Sequence, residues 1–282
     1  MGKNKQKSPT VSVIIPTYKR PTKLLRAVNS VLEQNYTDFE ILVVDDNPPE
    51  SEYRIKTESV LNNLDSRIIH LKNISSLGGA GARNVGIESA RGTYTAFLDD
   101  DDQWLPGKLS KQMLLFETLS VEVCSVDTGF FEIDERRGTR REIMPALRGD
   151  IFEALLVKHK GRAPKLSSMV CRTAALREIG MFDVLLPSRQ DLDLYLRLAR
   201  LYRFEYIKEP LINKFIHSSV RISSVSSNKI RGFEMLYKKY YEDLYKRPVL
   251  HRKYLKRHAF WLAKGGKLFQ AGIKVFKSLL VH

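Results

Sequence analysis

The stretch Thr93-Tyr-Thr-Ala-Phe-Leu98, followed by Asp99-Asp100-Asp101-Asp102 and Gln103-Trp104, decides the reading of this chain. Its first half is apolar and β-prone, the pattern of a short buried strand. Its second half sets four carboxylates side by side, and these repel one another unless a cation or open water compensates. An acidic run by itself is an ordinary solvated loop. This one begins where a buried strand stops, and open α/β sheets bind their ligands at the carboxyl ends of strands. A divalent cation carrying a nucleoside diphosphate suits such a place.

Working outward, the same rhythm recurs. Val11-Ser-Val-Ile-Ile-Pro16, Phe39-Glu-Ile-Leu-Val-Val44 and Arg67-Ile-Ile-His-Leu71 are further strands. Between them lie a helix that Thr22 caps, with Leu24, Leu25, Val28, Val31 and Leu32 on one face, and a polar helix from about Glu50 to Leu64. After a glycine-rich loop, Leu77-Gly-Gly-Ala-Gly81, a helix runs from about Ala82 to Ala90 and stops at Gly92. Strands alternating with helices pair in parallel through right-handed crossovers. Thr17-Tyr18, Asp45-Asp46 and Asp99–Asp102 then share one sheet edge and converge on one crevice. Beyond Trp104 the pattern predicts a helix over 106–118, a strand over 121–127 and a charged hairpin over 130–145. A helix near 151–158 and an extended segment over 165–171 follow. Next come a helix opening at Ser188-Arg-Gln-Asp191, short strands at 204–207 and 213–216, and helices from about Asn228 onward.

Composition sets limits. The 282 residues are 43% hydrophobic and 28% charged, which excludes a disordered chain. No run reaches the ~18–20 apolar residues of a membrane span, and no signal-peptide pattern precedes Ser8-Pro9. Cys124 and Cys171 lack metal-ligand spacing and are expected reduced and buried, as in a cytoplasmic protein. The net charge is +15, and Lys229 to His282 holds fourteen Lys or Arg against three acids. Such a surface attracts anionic lipid, nucleic acid or an anionic substrate, and composition does not choose among them.

The crevice residues have distinct chemistries. Tyr18 offers a face on which a nucleobase stacks. Asp46 can accept from an imide N–H, while Asp45 or Asn47 fixes the turn. Arg83, near a helix start, can meet a phosphate together with the helix dipole. One or two of the aspartates can complete a Mg²⁺ or Mn²⁺ shell, and another can bond a ribose. Asp191 is the candidate general base. Asp193 lies roughly 200° round the same helix and complements its dipole instead.

Val11-Ser-Val-Ile-Ile-Pro-Thr-Tyr18, Glu40-Ile-Leu-Val-Val-Asp-Asp46, Gly81-Ala-Arg-Asn-Val-Gly-Ile87 and Phe97-Leu-Asp-Asp-Asp-Asp102 resemble the motifs of family 2 glycosyltransferases, in that family's order and spacing. The resemblance covers about residues 10 to 220. It implies the GT-A fold, an α/β architecture with a mostly parallel sheet flanked by helices, here with a basic helical C-terminal extension. The resemblance implies a nucleotide-binding half over 10–105 and an acceptor-binding half over 106–227, while composition sets off a flexible basic tail over 1–9 and the extension over 228–282. It also implies an inverting, metal-dependent transfer from a nucleoside-diphosphate sugar, expected to be a UDP-sugar, to a saccharide or lipid-linked saccharide. Pro16, Thr17, Tyr18 and Asp46 would hold the nucleobase and Arg83 the diphosphate. Asp99 and Asp100 would lie near the ribose, with Asp101 and His217 at the metal, Mn²⁺ or Mg²⁺. The family's Glu-Asp at the base is Gln190-Asp191 here, with Gln190 and Trp104 expected at the acceptor.

Two other readings compete. In a sugar nucleotidyltransferase the glycine-rich loop follows the first strand, whereas Gly78–Gly81 follows the third. A nucleic-acid-binding protein leaves the acidic crevice unexplained and is not expected. In the tail, Phe269, Ile273, Phe276 and Leu280 recur at helical spacing between lysines. That face either packs on the domain or meets the inner face of a membrane.

Overall fold

A computed structural model describes residues 8–157, 163–216 and 226–281. Its first half follows the sequence pattern: β1 (Val11–Thr17), α1 (Pro21–Leu32), β2 (Phe39–Asp45), α2 (Glu52–Leu61), β3 (Ile68–Lys72), α3 (Gly78–Ser89) and β4 (Tyr94–Phe97). β1 pairs in parallel with both β2 and β4, and β2 in parallel with β3. Two starts differ from expectation. Arg20, not Thr22, precedes α1, with Pro21 in its first turn, where a missing N–H costs nothing. The glycine run is not a loop before α3 but its first turn.

The second half contains β5 (Asp102–Trp104), α4 (Lys108–Thr118), β6 (Val123–Asp134), β7 (Thr139–Ile143), α5 (Phe152–Val157), β8 (Val170–Arg172), α6 (Thr173–Glu178), α7 (Gln190–Leu201) and β9 (Arg203–Phe215). One sheet runs β3-β2-β1-β4-β8-β6-β9-β5, with β7 beside β6. β8 joins β4 antiparallel, and β5 joins β9 antiparallel, so the sheet is mixed rather than mostly parallel. The two strands expected near 204–216 are one long β9. β5 was not expected at all, because the last aspartate of the run is its first residue.

Helices cover both faces. Along β1, Ile14 faces a core shared with α3, α5 and α7, while Val13 and Ile15 face a second core under α1 and α4. α3 approaches closely: a Cβ on Gly86 would lie 2.5 Å from Ile14 Cγ2. Cys124 and Cys171 are free and buried, as expected.

The extension comprises α8 (Ser226–Lys239), α9 (Tyr241–Tyr245), α10 (Pro248–Lys264) and α11 (Leu268–Leu280). Phe233, Leu236, Tyr240, Leu244 and Tyr254 join the same core as β1 and α7, so α8 to α10 are built into the main α/β body. His258 of α10 is fully buried and stacks on Phe233 with ring centroids 5.7 Å apart. Neither of its ring nitrogens has a hydrogen-bond partner among the described residues. Burial, helped by Lys274 and Arg189, pushes its pKa down to about 4.

This gives a pH dependence with a definite sign. The unfolded chain takes up the proton near the usual value of about 6.5, while the folded chain resists until about 4. The stabilisation is complete above the higher value and is lost as pH falls towards the lower. His258→Phe should therefore flatten the acid side of the stability curve. In urea unfolding at neutral pH and near the lower value, the wild type should lose on the order of 2 kcal/mol more than the variant. Equal losses would contradict the assignment.

Candidate active site

Asp99 to Asp102 form a tight turn, closed by Asp102 N–H donating to the Asp99 carbonyl at 3.0 Å. The turn sends neighbouring carboxylates in different directions. Asp100 points inward, where Thr17 Oγ1 donates to it at 2.9 Å and Arg20 Nη1 at 3.1 Å. Arg20 also reaches Asp101 at 2.9 Å. Asp100 is 5% exposed, and burial raises its pKa to about 6 against the pull of Arg20.

Asp99 and Asp102 face the other way. Asp99 accepts from Arg83 Nη2 at 2.5 Å. Asp102, wholly buried, accepts from Lys214 Nζ at 2.7 Å and from Ser167 Oγ at 2.6 Å. Lys214 gets there because it lies opposite Asp102 in the β5–β9 ladder. Burial, opposed by Lys214 and reinforced by Asp99, raises Asp102 to about 6. Its second oxygen is buried without a hydrogen-bond partner among the described residues.

Carboxylate oxygens of Asp99, Asp101 and Asp102 lie within 4.8 Å of one another. Three hard oxygen donors fit a hard divalent cation such as Mg²⁺ or Mn²⁺, and one Asp102 oxygen has no hydrogen-bond partner among the described residues. Asp101, expected at the metal, is grouped with Asp99 and Asp102, while Asp100 turns to Thr17 and Arg20.

The β2 end is saturated with internal bonds. Asp46 accepts from Asn73 Nδ2, Ser76 Oγ and the Leu77 N–H, each at 2.8 Å, and from the Gly78 N–H at 2.9 Å. Two carboxylate oxygens have about four acceptor positions, and all are used. In this conformation Asp46 fastens the start of α3 and has no position left for an imide. Gly78, with φ +71°, supplies the backbone that makes this possible. Asp45 and Asn47 fix the turn as expected: Asn47 donates to Asp45 through its N–H at 3.0 Å and its Nδ2 at 2.7 Å. Tyr18 is exposed beside them, and Pro16 is half-buried in β1.

α7 brings the remaining candidates. Arg189, immediately before it, holds a left-handed φ of +67°, a strained choice for arginine, and its guanidinium lies 3.6 Å over the Phe233 ring. Gln190 Nε2 donates to the Leu186 carbonyl at 2.8 Å, and half-buried Asp191 accepts from the Leu192 N–H at 2.8 Å. Asp193 turns away as its angular offset requires. It is buried and bonded to Arg197 at 2.8 Å, Lys239 at 2.8 Å and Tyr240 at 2.9 Å. Tyr195, one turn beyond Asp191 on the same face, is buried with its hydroxyl unpartnered among the described residues. Burial, then the charges of Asp191, Asp127 and Asp99, push its phenol well above the usual range.

Trp104 is a correction. It is 2% exposed, and its Nε1–H donates to the Ser167 carbonyl at 2.8 Å, so its ring is core rather than an acceptor platform. β5 turns it inward. His217 lies outside the described residues. Arg20, Lys214, Ser167 and Tyr195 had not been singled out. Arg20 stood in view beside Tyr18, whereas Lys214 has no local signal and is found only through the β5–β9 register.

Comparison with known proteins identifies the family and the fold. The model of glycosyl transferase family 2 matches residues 12–179. The Escherichia coli protein described as UDP-Glc:alpha-D-GlcNAc-diphosphoundecaprenol beta-1,3-glucosyltransferase WfaP is 30% identical over 225 residues, covering 78% of this chain and 81% of that one. Among solved structures, the mannosyltransferase PcManGT from Pyrobaculum calidifontis in complex with GDP-Man and Mn²⁺ has a TM-score of 0.63 at 15% identity, covering 98% of this chain and 77% of that one. S. aureus TarS 1-349 in complex with UDP-GlcNAc has a TM-score of 0.61 at 16% identity, over 95% of this chain and 89% of that one. Both structures share the fold.

Lys214→Met leaves Asp102 and Asp99 without their shared cation. Removing one partner of a buried pair costs about 3 kcal/mol, so denaturant unfolding above neutral pH should show a loss of that order. The loss should shrink below the Asp102 value of about 6, where the carboxyl is already protonated. Asp102→Asn in the same chain should recover most of it. A pH-independent loss that the second substitution does not relieve would contradict the pairing.

Proposed function

The chain belongs to glycosyl transferase family 2 and is a glycosyltransferase, and from that premise we propose that it moves a sugar, with inversion, from a UDP-sugar to a hydroxyl of a saccharide or lipid-linked saccharide. One observation carries this reading. Three carboxylates within 4.8 Å stand at the strand ends next to Arg83 on the first turns of α3, which suits a nucleoside diphosphate. The names of WfaP and of the TarS complex support uridine as the base and, for WfaP, a lipid-linked saccharide as acceptor.

In this scheme exposed Tyr18 stacks on the base at the end of β1. Thr17 and Arg20 hold Asp100 inward and so fix the turn. Asp46 acts at one remove from the nucleotide, by holding the start of α3 in position. Arg83 exchanges its contact with Asp99 for the diphosphate, assisted by the helix dipole. A divalent cation held by Asp99, Asp101 and Asp102 would supply neutralisation of the charge on the departing diphosphate.

Asp191 takes the proton of the acceptor hydroxyl. The hydroxyl oxygen bonds to the anomeric carbon from the face opposite the diphosphate. The bond between that carbon and the diphosphate oxygen breaks, and its electron pair leaves with the nucleotide. Tyr195 stands one turn further along the same helix face, its hydroxyl without a hydrogen-bond partner among the described residues. Gln190 lies next to the base and is kept as an acceptor contact.

Asp191→Asn should lower transfer by at least about a thousandfold, within the range general-base loss produces. UDP affinity by titration calorimetry should stay within about twofold, since the base does not touch the nucleotide. With the donor identified from a panel of nucleotide sugars, the wild type should release nucleoside diphosphate. Full turnover by the variant, or release of pyrophosphate by the wild type, would defeat the reading.

A further inference from the structure

α11 is mounted inside out. A surface helix ordinarily turns its apolar stripe to the core and its polar side to water. Here the residues facing α8 and α10 are Ala271, Lys274 and Ser278: Ala271 and Ser278 are buried, and Lys274 places Nζ 4.9 Å from the Tyr237 ring centroid. The apolar residues Leu268, Phe269, Ile273, Phe276, Leu279 and Leu280 all face outward, with Phe269 83% and Phe276 61% exposed. Packing against the domain, one of the two fates open to this face from sequence, is therefore not what the helix does. Phe260 of α10 adds to the exposed apolar surface.

Charge identifies what would cover it. From Leu244 to His282 the chain has ten Lys or Arg and no Asp or Glu. Lys267 and Lys277 are exposed on α11 itself, and Arg252, Lys253, Lys256 and Lys264 are exposed along α10. An apolar face framed by cations, with no carboxylate to repel phosphate, complements an anionic bilayer. A second copy fits poorly, because a two-fold contact would set this basic segment against itself. The 13 residues of α11 are too few to span a bilayer, and no helix among the described residues is long and apolar enough to cross one.

We propose that α11 is a membrane-docking helix. It lies in the headgroup layer of an anionic membrane, with Phe269, Ile273, Phe276 and Leu280 among the acyl chains and Lys267 and Lys277 at the lipid phosphates. The proposal does not depend on the donor, the base or the acceptor assigned above.

Flotation of the full chain tests it. The protein should float with vesicles of phosphatidylglycerol in phosphatidylcholine, stay behind with phosphatidylcholine alone, and be released by high salt. Phe269→Ser with Phe276→Ser, and separately Lys267→Glu with Lys277→Glu, should each lower partitioning by at least about tenfold. All four positions are exposed, so circular dichroism and slow donor hydrolysis should match the wild type. The proposal is overturned if the chain does not float, if it floats equally well without anionic lipid, or if the variants bind like the wild type. It is also overturned if light scattering finds a dimer that the serine variant converts to monomer, because a second copy would then own the face.

Discussion

Four adjacent aspartates cannot all be charged in one dry place. Two unit charges about 4 Å apart repel by about 4 kcal/mol at the effective dielectric of a protein surface, and a few such terms rival the ~5–15 kcal/mol of a whole domain. The fold answers by turning the run so that Asp100 points away from Asp99 and Asp102, and by bringing a cation to each side. Arg20 holds Asp100 and Asp101, Arg83 holds Asp99, and Lys214 holds Asp102. Compensation is incomplete: three cations face four carboxylates, and burial, with a neighbouring carboxylate behind it, raises Asp100 and Asp102 to about 6. That residual negative potential is what suits the place to a divalent cation.

Each compensating cation belongs to a different element, and so the site's charge balance also constrains the architecture. Arg20 immediately precedes α1, Arg83 rides on α3, and Lys214 stands in β9 opposite β5. Asp46 performs the same service one step removed, by fastening the turn from which α3 and Arg83 start. The extension contributes through Arg189, whose guanidinium lies over Phe233 of α8 and locks the start of the helix that carries Asp191. Chemistry and scaffold here are one set of bonds.

The parallel half was readable from sequence because its signals are local. β-branched runs of five to seven residues, separated by amphipathic helices, leave few ways to build a sheet, and they put Thr17, Asp46 and the aspartates on one edge. The antiparallel half was not, because its pairings join distant segments whose composition does not announce them. β5 is three residues long and begins with an aspartate, so nothing marked Asp102 as a strand residue or Lys214 as its neighbour. Trp104 looked available because it follows a polar run, yet strand alternation after Asp102 carries it inward. Periodicity in α11 identified which residues share a face but not which way the face points. That was decided by Ala271 and Ser278, whose small side chains allow close approach to the neighbouring helices.

A crystal soaked with UDP and manganese, with anomalous data collected at the manganese edge, addresses the site most directly. One anomalous peak ligated by Asp99, Asp101 and Asp102, with the diphosphate against Arg83, is the expected result. Manganese bound elsewhere, or UDP seated on another surface while these carboxylates keep their Lys214 and Arg20 contacts unchanged, would contradict it.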